Sequence, residues 1–325
     1  MNKKQEQKKN SNFNTPYDDA HQTMVTDCPT LLIPVVNEVF HKNYSRNESV
    51  TLSNRNFMVN LPDGEQQGRI TDSVFTIRME DYLMECQSTK DGTIIMRIFE
   101  YSTQEALEKS ELLGDTLTVK FPNAAIIYLR HNEKTADEMK ICIKVPDGEC
   151  TYKVPVVKVQ NYSVEALFGK QLFFFIPFHI FAYEKDLAKY DNDEEKLDML
   201  KNIYADIVNR LDACATNGVI TEFEKRMILA MSKKVLEKIA RKYSNVKEEV
   251  GSIMGGKVLE YEAKDILRQG ISQGISQGMA IGIKNLVETY QELGFTQSDA
   301  RNKLMEKYQM TDEEANEKIR EYWKA

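Results

Sequence analysis

Apolar and polar positions change rhythm several times along the chain, and each change marks a boundary between elements. From Asp19 to Phe40 the apolar residues Met24, Leu31, Leu32, Val35, Val36 and Val39 recur at helical intervals, interrupted by Pro29 and Pro34. This predicts a broken helix ending near Phe40. Short β-rich runs follow at 57–61, 70–77 and 82–88, separated by PDGEQQG and RMED, and predict a β-meander. Between Met96 and Leu113 helical spacing returns, with Met96, Phe99, Tyr101, Ala106, Leu107 and Leu112 on an amphipathic helix suited to lying across a sheet. Strand character resumes over 116–129, 139–145 and 152–159. A helix set between strands implies an α/β layer.

Beyond Asn161 the pattern becomes aromatic and helical, ending in FFFIPFHIFAYEKDL, where Pro177 bends or breaks the helix. Two strong helices are predicted between Asp193 and Tyr243, the second opened by a capping box of Thr221 and Glu224. Gly270, Gly274, Gly278 and Gly282 then repeat every four residues, each followed by an aliphatic side chain. On a helix this period lays the glycines in a slow stripe that permits close approach by another helix. Glycine also weakens a helix by about 1 kcal/mol per position relative to alanine. Two interpretations stand: a surface for helix association, including a homodimer through the C-terminal helices, or a flexible linker. Thr296 with Asp299 and Thr311 with Glu314 open two final helices. The predicted organisation is a disordered basic tail over 1–18, an α/β domain over 19–190, a helical region over 191–258, and a glycine-periodic helix or linker with a terminal helical hairpin over 259–325.

Composition narrows the class. A chain of 325 residues with 42% hydrophobic residues can bury a substantial core and suggests two compact units. The apolar run Leu172 to Ile176 stops at Pro177, and no run approaches the length of a membrane span, so no transmembrane helix is expected. The opening MNKKQEQKKNSN lacks the apolar stretch of a secretory signal. Five scattered cysteines, with no C-x-x-C pair and no nearby histidine, predict reduced thiols and a cytoplasmic protein. The net charge of −7 means that any contact with DNA must be local. The four histidines show no ligand spacing, and no phosphate-binding G-x-x-x-x-G-K-[ST] loop occurs.

The segment ITDSVFTIRMEDYLMECQST carries the candidate chemistry. Read as two antiparallel strands turning at 78–81, it places Glu85 and Gln87 on one face and Met84 and Cys86 on the other. Pairing Ile77 with Tyr82 would set Asp72 opposite Gln87 and diagonal to Glu85. Two carboxylates so close resist ionisation unless a cation sits between them. Mg²⁺, with Mn²⁺ as its substitute, suits Asp72, Glu85 and the backbone carbonyl of Cys86, and would activate a phosphodiester toward hydrolysis. The competing interpretation is an ordinary solvent-facing hairpin with an acidic residue on each strand.

The Asp72 strand, MECQST with Glu85, Gln87 and Ser88, Asp91, and MRIFEYSTQEAL from Met96 to Leu107 resemble the recombination-promoting nuclease and transposase (Rpn) family. The likeness is to its Firmicutes-type branch, within the PD-(D/E)XK nuclease superfamily. Weaker similarity extends over DAHQTMVTDCPTLLIPVVNEVF and YSVEALFGKQLFFFIPFHIFAYE, so that roughly residues 18 to 190 are covered. The resemblance implies a restriction-endonuclease-like mixed sheet flanked by helices, with a helical C-terminal region behind it. Asp72 and Glu85 would hold Mg²⁺, and Gln87 would take the place of the usual lysine, orienting water without supplying positive charge. It also implies that Glu38 is an additional acidic residue near the metal. Arg97 and Tyr101, spaced i and i+4 on one helix face, would face the site, Arg97 contacting DNA phosphate and Tyr101 bracing it. The expected function is a Mg²⁺-dependent DNA endonuclease associated with recombination or a mobile element. The alternative is a catalytically weak protein of the same fold that acts as an interaction or assembly module.

Overall fold

The computed structural model describes residues 16–53, 56–60, 66–70, 73–88, 92–255, 278–308 and 310–323. Asp72, Asp91, Gly270 and Gly274 lie outside the described residues, as does the tail up to residue 15. The chain divides into two units, Met1–Glu260 and Tyr261–Ala325.

The first unit opens with α1 (Pro16–Asp27), a 3₁₀ turn (Pro29–Leu31) and α2 (Leu32–Phe40). The predicted tail therefore gives way to helix at Pro16. The helical break falls at Cys28 and Pro29, while Pro34 sits inside the first turn of α2, where a missing N–H costs no helical hydrogen bond. Next come β1 (Val50–Leu52), β2 (Asn56–Asn60), β3 (Gln66–Ile70), β4 (Ser73–Ile77) and β5 (Glu80–Gln87). These do not form the single predicted meander. Among the described residues β2 and β3 pair only with each other, between β1 and β4 in the chain.

After α3 (Ile94–Glu108), β6 (Glu111–Leu113) and β7 (Thr116–Thr118) make a second small hairpin, followed by β8 (Asn123–Tyr128), β9 (Glu138–Val145) and β10 (Gly148–Lys158). The predicted helix to Leu113 thus ends at Glu108, and the predicted strand over 116–129 is two strands. The main sheet has the order β1-β4-β5-β8-β10-β9, with β5, β8 and β10 parallel and the outer pairings antiparallel. The protein is α/β, with a six-stranded mixed sheet. Its central strands are buried on both faces, as β8 shows with Ala124 to Tyr128 all inaccessible, and such strands read as apolar runs instead of alternating ones. The edge strand β9 alternates exposed Lys140, Cys142 and Lys144 with half-buried Met139, Ile141 and Ile143, a charged edge that discourages further strand pairing.

One face of the sheet is covered by α3, whose Ile94, Ile98 and Tyr101 pack on Val74, Leu83, Ala124, Ile126, Tyr128 and Val154. On the other face Tyr82 stacks with Phe75 and meets Phe40 of α2, with ring centroids 5.6 and 5.2 Å away. A short helix α4 (Val164–Gly169), capped by Ser163, leads into Phe173–Asp186. The latter is 3₁₀ throughout instead of α-helical, with Pro177 inside it and Phe173 to Phe181 buried. Proline cannot donate the i−4 bond of an α-helix, and the apolar packing on all sides holds the tighter form past the three or four residues usual for it. Against it lies the helical layer: α5 (Leu187–Asn192), α6 (Glu194–Thr216), α7 (Glu222–Ile239), a π turn at Val246–Val250, and α8 (Gly251–Ile253). The predicted capping box forms, with Thr221 Oγ1 accepting from the Glu224 amide at 3.1 Å and the Glu224 carboxylate accepting from the Thr221 amide at 2.7 Å.

The described residues of the second unit form helical residues 278–292 (α9), α10 (Gln297–Tyr308) and α11 (Asp312–Tyr322) around a core of Ile283, Val287, Ala300, Leu304, Ala315 and Ile319. Thr311 and Glu314 form the expected capping box. Gly282 has a local reason to be glycine: a Cβ there would lie 2.7 Å from the hydroxyl of Tyr308. All five cysteines are free thiols. No helix among the described residues is long and apolar enough to cross a membrane.

Two histidines buried in the first unit set a pH limit. His21 and His179 are 1% and 4% exposed, and burial lowers each to about 4. The unfolded chain, with values near 6.5, therefore binds more protons between those limits, so stability is fully present above about pH 6.5 and is lost as pH falls toward 4. Urea unfolding at pH 7 and pH 4.5 is expected to show a loss of roughly 2–3 kcal/mol per histidine, and His179→Phe should remove its share of the difference.

Candidate active site

Glu85 is the single charged residue within the buried run Tyr82–Cys86 of β5, and only 3% of it is exposed. The hairpin that presents it pairs Ile77 with Glu80 and Ser73 with Met84. This corrects the predicted Ile77–Tyr82 register by two residues. The turn needs only Arg78 and Met79, because Arg78 adopts φ 56°. That left-handed backbone is unusual for arginine, and it is supported by an ion pair to Glu48 and by the guanidinium lying 5.5 Å from the ring centre of Tyr44. A shift of two residues preserves the faces, so Leu83, Glu85 and Gln87 share the side covered by α3, and Met84 and Cys86 point to the other. Cys86 is 5% exposed.

Across the neighbouring parallel strands the pairing continues from Glu85 to Ile126 and from Gln87 to Tyr128, and then from Tyr128 to Lys158. Gln87, Tyr128 and Lys158 thus form one row at the carboxyl ends of β5, β8 and β10. This end of a parallel sheet is where α/β proteins bind ligands. The chain leaves β5 there and enters α3 at Ile94, so Arg97 stands in the first turns over the same face. Tyr101, one turn later, is 2% exposed within the core cluster, and Arg97 is half-buried beside it.

Glu38 is carried on α2 and lines a cavity with Lys158 and Tyr162. It forms an ion pair with Lys170, and its charge adds to burial in raising the hydroxyl of Tyr162. Its helix, α2, reaches the sheet through Phe40 on the Tyr82 face, opposite to that of Glu85. Among the described residues no group of three or more His, Cys, Asp and Glu side chains gathers to hold a metal. The donors present around β5 are the Glu85 carboxylate, the Gln87 amide oxygen and the Cys86 carbonyl. All are hard oxygen ligands, and their chemistry fits Mg²⁺.

A residue that sequence patterns did not single out organises this end of the sheet. Arg130, just past β8, donates from Nε and Nη2 to the two oxygens of Glu184 at 2.5 and 2.7 Å, and from Nη1 to the carbonyl of Ser88 at 3.0 Å. Its guanidinium lies 4.5 Å from the ring centre of Phe181. Burial acts most strongly on the Arg130 guanidinium and lowers it, but the hydrogen bonds and charge of Glu184 together with Tyr17 outweigh it and leave it raised. The only local hint was an arginine closing the apolar run AAIIYL; its partner is 54 residues away.

The chain matches no family model, no curated protein and no solved structure. Lysine cannot reproduce the forked contacts or the ring stacking of Arg130, so Arg130→Lys is expected to lower unfolding free energy by about 2 kcal/mol in urea titration.

Proposed function

We propose that the protein is a Mg²⁺-dependent DNA endonuclease of the PD-(D/E)XK type, with Asp72, Glu85 and Gln87 as its centre. The observation that carries this reading is a glutamate buried at the carboxyl end of a central strand, next but one to Gln87 and on the face covered by the helix bearing Arg97. Burying a carboxylate is costly unless charged or hydrogen-bonding partners compensate, and a divalent cation is such a partner. The element order also supports it: α2, β1, β4, β5, α3 and β8 run helix, three antiparallel strands, crossover helix and parallel strand, the plan expected of a restriction-endonuclease-like core.

In this reading Asp72, Glu85 and the carbonyl of Cys86 hold the cation, with Mn²⁺ able to substitute. Bound Mg²⁺ supplies Lewis-acid polarisation of the scissile phosphodiester. Gln87 orients the attacking water by hydrogen bonding, and brings no formal charge to the transition state. Arg97 contributes that positive charge from α3 by contacting a phosphate oxygen, and Tyr101, anchored in the core, fixes the side of the helix from which Arg97 extends. Glu38, the further acidic residue of this reading, is paired with Lys170 and lines a cavity together with Lys158.

Purified protein is expected to nick supercoiled plasmid with Mg²⁺ or Mn²⁺ and not with EDTA. Asp72→Ala and the isosteric Glu85→Gln should each reduce the rate at least ~100-fold, the scale of a lost transition-state contact. A folded wild-type protein that leaves plasmid intact with both metals would overturn the reading and favour an assembly module built on the same fold.

A further inference from the structure

Beside the candidate centre, past the ends of β8 and β10, lies a cleft of about 720 Å³ whose lining includes His131, Lys134, Lys158, Gln160, Asn161 and Lys185. Three lysines face one carboxylate, that of Glu133, among the lining residues. This concentration of positive charge occurs in a chain whose net charge is −7. Lys158 is paired with Asp137 at 2.7 Å. Lys134 and Lys185 have no carboxylate within ion-pair distance among the described residues and are exposed. Burial is the largest influence lowering His131, and the charges of Lys158 and Lys185 lower it further, against hydrogen bonds with Gln160 and Asn161 that raise it.

The walls of the cleft are fixed before any ligand arrives. Arg130 precedes His131 and Glu184 precedes Lys185, so the forked Arg130–Glu184 pair holds two walls together. Gln160 makes a second tie, accepting from the His131 amide at 3.0 Å and donating to the Phe181 carbonyl at 2.7 Å. Lys134 is carried on a turn braced by Thr135, whose Oγ1 accepts from the Asn132 amide at 3.2 Å while its own amide donates to the Asn132 carbonyl at 2.9 Å. Preorganised cations around an open cavity, with amide and imidazole groups between them, suit a phosphate group better than a planar apolar ligand.

We propose that this cleft binds phosphate and that its ligand is a backbone phosphate of DNA flanking the bond cleaved at Glu85, an assignment that rests on the endonuclease reading. The row Gln87, Tyr128, Lys158 places the cleft two strand spacings from the candidate centre, roughly 10 Å, close enough for one DNA strand to reach both.

The test uses the full chain, a fluorescein-labelled 20-base-pair duplex without divalent metal, and the double variant Lys134→Gln, Lys185→Gln. Both lysines are exposed, so folding is preserved. Removing two phosphate contacts is expected to weaken binding ~30-fold at 0.15 M salt and to reduce the slope of log K against log salt by about 1.8. In a parallel arm, inorganic phosphate titrated against the His131 ring signals should raise the pH at which they titrate in wild type and leave them unchanged in the variant. A phosphate response without any lysine-dependent DNA binding would support the phosphate cleft and assign it to a free phosphate ligand, against the DNA assignment. Identical duplex affinity and salt slope in both proteins, together with silent His131 signals, would overturn the proposal. Lysine-dependent duplex binding without metal-dependent nicking would leave the cleft standing and remove the catalytic reading.

Discussion

The forked contact between Arg130 and Glu184 is the constraint on which this end of the molecule depends. The central strands β5, β8 and β10 are parallel, so their carboxyl ends open to the same side, and the chain departs from each in a different direction. A side-chain crosslink fixes how those departing segments lie against one another. Arg130 ties the exit of β8 to the exit of β5 through the Ser88 carbonyl, and to the buried 3₁₀ segment through Glu184 and Phe181. Partial burial strengthens such an interaction relative to an exposed pair, and the bidentate geometry confines both side chains to one arrangement.

The same geometry gives Glu85 its meaning. A carboxylate inside a strand with apolar neighbours on either side costs stability unless partners balance its charge. Glu85 stands next to the row of Gln87, Tyr128 and Lys158 at the open end of the sheet, where the proposed cation would be held. Around it the positive groups are graded: Arg97 over the face of the sheet, and Lys134, Lys158 and Lys185 beyond its end. An acidic protein can in this way offer a local surface for a polyanion while its remaining surface repels it.

Features governed by near neighbours were legible in the sequence. Thr221 with Glu224 and Thr311 with Glu314 announce helix starts because capping needs only three residues of spacing. The common face of Glu85 and Gln87 follows from the period of a strand and survives a register shift of two. What was hidden depends on distant partners. Arg78 can take its left-handed backbone because Glu48, 30 residues earlier, and Tyr44 hold its side chain, and that shortens the turn and resets the register. The aromatic run around Pro177 signals burial but not 3₁₀ geometry, since helix type there follows from what packs on every side. Arg130 and the lysines of the cleft carry no local pattern; only the fold brings them together.

The central claim is that Glu85 is a ligand of a divalent cation, and titration calorimetry of Mn²⁺ into the metal-free full-length protein tests it most directly. The account predicts saturable binding by wild type that weakens at least ~10-fold in Glu85→Gln, because the substitution keeps the shape of the side chain while removing the charge the cation requires. Equal affinity in the two proteins, with both folded, would contradict it.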